Sequence, residues 1–138
     1  MPTPKPLLAL LLAASASMAL AEPLKIGLIL PLTGPFASTG KQIEAGARLY
    51  MAQQGDTVAD RKVELIVKDD TGVADVSKRI AQELVVNDKV SVLAGFGLTP
   101  LAMATAPIAT QSKTPLVVMA AATSSITEAS PYIVRTSF

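Results

Sequence analysis

The chain has 138 residues, 50% of them hydrophobic and 17% charged, with a formal net charge of +1 and neither histidine nor cysteine. These residues cannot build His- or Cys-based zinc sites, disulfide frameworks or nucleophile–His triads. Near-neutrality leaves no electrostatic footprint for nucleic acid or an anionic membrane surface.

In chain order, Lys5 forms a short basic start, residues 7–14 an apolar run too short to span a bilayer, and Ala19-Leu20-Ala21 an A-x-A cleavage site. The pattern predicts a signal peptide over residues 1–21 and a mature chain starting at Glu22. The competing reading is a buried N-terminal helix. Removal of Lys5 brings the 12 basic residues level with the 11 acidic ones. Glu22 stands where a lipoprotein needs cysteine, so no lipid anchor is expected. The predicted compartment is the periplasm.

Residues 24–30 predict a mostly buried strand, followed by a Gly/Pro turn. A helix is predicted over residues 41–54, with Ile43, Gly46, Ala47, Tyr50 and Met51 on one stripe. Residues 62–68 predict a second strand that ends in Asp69-Asp70-Thr71-Gly72. A second helix follows over residues 74–87, with Val76, Ile80 and Leu84 on one face and Asp75 suiting its dipole. Residues 90–94 predict a third strand. Thr99-Pro100 then reads as an N-cap and first helical residue. Pro107 lies inside this third helix and predicts a kink or a break. Residues 116–120 predict a fourth strand, residues 121–125 a polar turn, and residues 132–135 the start of a fifth strand.

The order β-α-β-α-β-α-β predicts an α/β fold with a doubly wound parallel sheet. Because the chain reaches Phe138 just past a strand start with no capping element, the expectation is the first part of a longer chain. Such a piece would carry four or five strands and an uncovered edge.

In open parallel sheets, ligands bind beyond the carboxyl ends of the strands. Three segments fall there: residues 32–40, 95–99 and 121–125. In Gly95-Phe96-Gly97-Leu98-Thr99-Pro100, the two glycines would admit a ligand close to the backbone. Thr99 offers a hydroxyl, and the helix start offers amides and a positive dipole end. The plainer reading is that Thr99 only caps its own helix. Ala121-Ala122-Thr123-Ser124-Ser125 combines small side chains with three hydroxyls, or is an ordinary polar turn.

Residues 34–41 fail as a nucleotide-binding P-loop, since five residues separate Gly34 from Gly40 and Gln42 follows Lys41. Pro100 stands where a dinucleotide fingerprint needs glycine. Asp69 and Asp70 are adjacent and point to opposite faces, so solvated strand-end carboxylates are expected rather than an acid/base pair. No histidine is present to activate Ser124 or Ser125. The residues thus favour capture of a small anionic or zwitterionic solute, with no catalytic group, cofactor or metal.

Lys25-Ile26-Gly27, Leu32-Thr33-Gly34-Pro35 with Gly40, Gly46-Ala47, Asp69-Asp70, Ala121-Ala122-Thr123 and Tyr132-Ile133-Val134-Arg135-Thr136 occur in this order along the chain. In these motifs the chain resembles the solute-binding proteins of branched-chain amino acid ABC importers, the Leu/Ile/Val-binding type with the type I periplasmic binding fold. The resemblance implies a non-enzymatic receptor whose two lobes close over a solute and deliver it to a membrane permease. Residues 22–138 would form the first part of the N-terminal lobe, with the second lobe absent. It further implies that Thr99 holds the solute's carboxylate, that Ala121 and Thr123 complete the cradle, and that Thr39 lines the side-chain end of the pocket. Thr39 stands where an aromatic residue is common, and Phe96 could stack on a ring. The expected solute is a branched-chain amino acid; the alternatives are an aromatic acid, an amide or urea, or a sensory ectodomain of the same fold.

Overall fold

The computed structural model describes residues 22–136. The predicted signal peptide lies outside the described residues. The elements are β1 (Leu24–Leu30), α1 (Ala37–Gln54), β2 (Thr57–Val58), β3 (Arg61–Asp69), α2 (Ala74–Val86), β4 (Val92–Gly95), α3 (Thr99–Ser112), β5 (Leu116–Val118) and β6 (Ile133–Arg135), with a 3-10 turn at Ser124–Ile126 between the last two. They form one six-stranded sheet in the order β2-β3-β1-β4-β5-β6. All pairings are parallel except the short β2–β3 hairpin.

β1 is nearly continuous in apolar residues because both its faces are covered. Successive side chains alternate between two cores. Ile29 and Leu93 join Ile80, Leu84, Leu101 and Ile108 on the α2/α3 side. Leu28, Leu30 and Ala94 pack with Ile43 and Ala47 of α1 on the other side. From β1 the chain crosses to β3 at one side, and from β4 to β5 at the other. The carboxyl ends of β1 and β4 are therefore the point where the crossovers diverge and a crevice opens.

Four differences from expectation have local causes. α1 starts at Ala37 rather than Lys41. Gly40, which resembles a turn glycine, lies inside the helix: a Cβ there would stand 2.2 Å from the Pro31 carbonyl oxygen, so the missing side chain lets α1 seat against the end of β1. β2 arises from a tight turn with positive φ at both Ala59 and Asp60, the geometry of a two-residue hairpin, without the Asn-Gly signal that announces one. This edge hairpin brings the strand count to six. α3 runs unbroken through Pro107, with buried Leu101, Ala102 and Thr105 before it and Ile108 and Ala109 after it holding both halves against the core.

Candidate functional site

The three predicted rim segments meet. Gly97 sits against the first of them: a Cβ there would lie 3.0 Å from Pro31 Cγ and 4.0 Å from Thr39 Cγ2. The second and third segments are joined twice. Ala121 donates its amide to the Phe96 carbonyl at 3.1 Å, and Thr99 Oγ1 lies 2.7 Å from Thr123 Oγ1, either of which can be the donor. β4 and β5 are sheet neighbours, so residues 24 positions apart emerge side by side.

Thr99 is half-buried and Thr123 is exposed. Thr99 does not act as the N-cap: Leu98 holds that place with an extended backbone and makes no side-chain cap bond. Thr99 is the first helical residue, and its hydroxyl turns across the mouth to Thr123. Pro100 has no amide hydrogen, and the amides of Leu101 and Ala102 turn back to the Leu98 carbonyl. The start of α3 thus presents the Thr99 hydroxyl and amide, fewer donors than a fully open helix end. Thr39 is half-buried in the first turn of α1. Ser124 is exposed at the start of the 3-10 turn, and Ala121 is buried.

Phe96 corrects the expectation of a ring available for stacking. Its side chain is fully buried in the α2/α3 core, its φ is +64°, and its amide donates to the Ile29 carbonyl at 2.9 Å. The left-handed turn at this residue sends the ring inward. Gly95 likewise serves the chain and not a solute: at φ +116°, a Cβ would stand 2.1 Å from the Ile29 carbonyl oxygen.

The two carboxylates at the end of β3 are not free charges either: Asp69, the last residue of the strand, is half-buried and Asp70 is buried. Asp69 accepts from the Leu32 amide at 2.8 Å, the Thr33 hydroxyl at 2.7 Å and the Thr71 amide at 2.8 Å. Burial is the largest single influence and pushes its pKa up, but the Thr33, Thr71 and Leu32 donors together outweigh it and hold the group below the ordinary aspartate value. Asp70 is fully buried, accepting from the Gly72 amide at 2.9 Å and the Ser77 hydroxyl at 2.7 Å. Burial is the leading cause that raises its pKa; the charge of Asp69 adds to it, while the Gly72 and Ser77 donors oppose it. Sequence reasoning missed both roles, although Ser77 in the first turn of α2 was the available signal. It also missed Arg135, whose guanidinium donates to the Ala122 carbonyl and ties the third rim segment to β6.

The Asp70 shift carries a pH signature. An acid whose folded pKa is raised keeps its full contribution below the ordinary aspartate value of 3.8 and loses it as pH rises through the folded pKa. Asp70→Asn preserves the shape and removes that loss. Measured by urea midpoints of the full-length protein, the variant is expected to gain on wild type as pH rises from about 4 to about 7. A constant difference across that range would show that Asp70 titrates normally.

A concavity of about 520 Å³ lies away from the rim on the α1 face of the sheet, lined by Ile26, Leu28, Ala47, Met51, Val117 and Met119 among others. Its walls are almost entirely apolar and lack the converging polar groups that fix a charged solute. The rim, with its paired hydroxyls, is the better candidate.

Comparison with known proteins agrees with this fold. Residues 23–138 match the family described as "Periplasmic binding protein". The chain is 52% identical over 126 residues to the Leu/Ile/Val-binding protein homolog 6 of Brucella abortus, covering 90% of this chain and 32% of that protein. It superposes with a TM-score of 0.83 and 62% identity on a solute-binding protein of an ABC transporter from Rhodopseudomonas palustris in complex with 3,4-dihydroxybenzoic acid, covering 85% of this chain and 32% of that one. A leucine-binding protein from Thermotoga maritima aligns at 27% identity and a TM-score of 0.77, over 81% of this chain and 32% of that one. The chain thus spans about a third of the length of the relatives it matches. A family match across the whole sheet, together with this identity to a Leu/Ile/Val-binding relative, means that the chain belongs to the periplasmic binding protein family, with the type I fold.

Proposed function

We propose that the full-length protein is the periplasmic solute receptor of an ABC importer and that its solute is an aromatic carboxylic acid of the hydroxybenzoate class. The observation that carries the reading is the pair of hydroxyls, Thr99 and Thr123, 2.7 Å apart where the three rim segments converge. In the free lobe one hydroxyl donates to the other. A carboxylate arriving between them can accept from both, and from the Thr99 amide. Each such charge-assisted bond contributes roughly 1.5–3 kcal/mol. The protein binds and releases its solute without covalent chemistry. Residues 1–21 serve as its export signal, and a second lobe closes over the solute from the far side.

The solute class rests on three supports. The relative at 62% identity is in complex with 3,4-dihydroxybenzoic acid, whereas the leucine-binding one stands at 27%. Moreover, Asp69 and Asp70, the carboxylates at the end of β3, are both engaged within the lobe and leave an amino acid's ammonium group to be met elsewhere. Thr39 in place of a larger ring, beside Gly97, leaves room for an aromatic solute. A branched-chain amino acid is the second reading, favoured by the Leu/Ile/Val-binding name of the Brucella relative.

The test is titration of the full-length protein with 3,4-dihydroxybenzoate, the corresponding benzyl alcohol and leucine. The acid is expected to bind, the alcohol not to, and leucine to bind more weakly. Thr99→Ala should weaken the acid by about 1–3 kcal/mol. Leucine binding more tightly than the acid would overturn the solute class, and equal binding of acid and alcohol would overturn carboxylate capture.

A further inference from the structure

We infer that Asp69 is a positioning residue of the rim: it holds the first rim segment at the distance from Gly97 that defines the Thr39 wall of the mouth. β1 and β3 run in parallel register until Leu30 faces Asp69, and the last backbone bond runs from the Asp70 amide to the Leu30 carbonyl at 3.0 Å. Beyond it the backbone ladder stops. The Asp69 carboxylate takes over, with Oδ1 accepting the amides of Leu32 and Thr71 at 2.8 Å each and Oδ2 accepting the Thr33 hydroxyl at 2.7 Å. One side chain thereby satisfies two amides that would otherwise lack sheet partners and clamps the loop after β1 to the turn after β3. Bonds to an ionised acceptor are the stronger kind.

The consequence reaches the mouth through contacts. The Leu32 side chain packs on the α1 turn, its Cδ2 3.3 Å from where a Gly40 Cβ would be. Thr39 precedes Gly40 on that turn and faces Gly97. The route is therefore Asp69, Leu32, the first turn of α1, Thr39, Gly97. Asp70 is an internal control. It adjoins Asp69, but its carboxylate accepts from Gly72 and Ser77 around the start of α2 and not from Leu32, Thr33 or Thr71.

The inference rests on the solute reading above, so its test has two arms. In the first, amide hydrogen exchange is followed in full-length protein without solute. Asp69→Ala should speed exchange at Leu32 and Thr71 by about tenfold or more, the loss expected for one hydrogen bond to a charged group, while α2 amides keep their protection. In the second, 3,4-dihydroxybenzoate and unsubstituted benzoate are titrated. Asp69→Ala should weaken the first by about fivefold or more and change the ratio between the two, because a displaced wall alters ring fit and not carboxylate capture alone. Asp69→Asn, which keeps one acceptor oxygen for Leu32 and Thr71, should restore most of the affinity. Asp70→Asn should leave the ratio unchanged.

Unaltered exchange at Leu32 in Asp69→Ala, or equal weakening of both acids, would overturn the inference. If Asp69→Ala fails to fold, Asp69→Ser, whose single oxygen replaces the carboxylate that accepts from the Leu32 and Thr71 amides and the Thr33 hydroxyl, carries the same comparison, and wild-type exchange and ratio in it would overturn the inference. Failure of the wild-type protein to bind either acid would refute the solute reading while the exchange arm still decides the role of Asp69.

Discussion

Gly95→Ala is expected to destabilise the protein by about 3–5 kcal/mol, combining backbone strain with overpacking. The φ of +116° is one that side chains rarely adopt, and the added Cβ would stand 2.1 Å from the Ile29 carbonyl oxygen and 3.0 Å from its carbon. Those atoms belong to the backbone of the central strand, so no rotamer change relieves the clash. Relief requires β4 to move away from β1, which breaks the Phe96–Ile29 hydrogen bond and the register from Ile29 to Gly95. Domains are stable by only about 5–15 kcal/mol, so the change removes much of the margin. Urea unfolding should show a large fall in midpoint. A midpoint within error of wild type would mean that the β1–β4 contact is looser than described.

Phe96→Ala should cost about 3–5 kcal/mol of stability, the usual range for emptying a buried aromatic site. Its ring is fully buried and is among the largest wholly enclosed side chains of the lobe. Phe96→Leu, closer in volume, should cost less, about 1.5 kcal/mol or below, and leave solute affinity near wild type. The two readouts separate core from site. A ring stacked on a solute would give the opposite pattern, with Phe96→Leu stable but weak in binding. That outcome would return Phe96 to the rim.

These two residues also show why the sequence is legible in some respects and silent in others. The strands were readable because a parallel sheet covered on both faces forces long apolar runs such as residues 24–30, whose bounds coincide with β1. The helices were readable by their stripes. What failed depends on contacts between distant residues. Gly40 and Gly95 signal a tight backbone, but only the folded chain reveals that the tightness is against Pro31 and Ile29. Local rules turn both into loop glycines, which shortened α1 and gave Gly95 to a ligand.

The site was legible in its parts and not in its wiring. Thr99 and Thr123 were singled out by their places after the third and fourth parallel strands, yet their 2.7 Å approach follows from β4 and β5 being neighbours. The cap role of Thr99 was misjudged because a Thr-Pro pair imitates a cap, whereas Leu98 takes that place. Asp69 and Asp70 looked like solvated strand-end charges, since nothing local tells that Leu32 and Thr33 return to meet Asp69. On the solute, the resemblance put a branched-chain amino acid first, while the relative at 62% identity favours the aromatic-acid alternative.

The claim on which the functional account stands is that two threonine hydroxyls from separate segments grip one carboxylate. Calorimetric titration of 3,4-dihydroxybenzoate into full-length wild type, Thr99→Ala, Thr123→Ala and the double variant measures it directly. Each single change should weaken binding by about 1–3 kcal/mol. The double variant should lose less than the sum, because contacting groups that serve one ligand atom pair are coupled by about 0.5 kcal/mol or more. Wild-type affinity in either single variant would contradict the account.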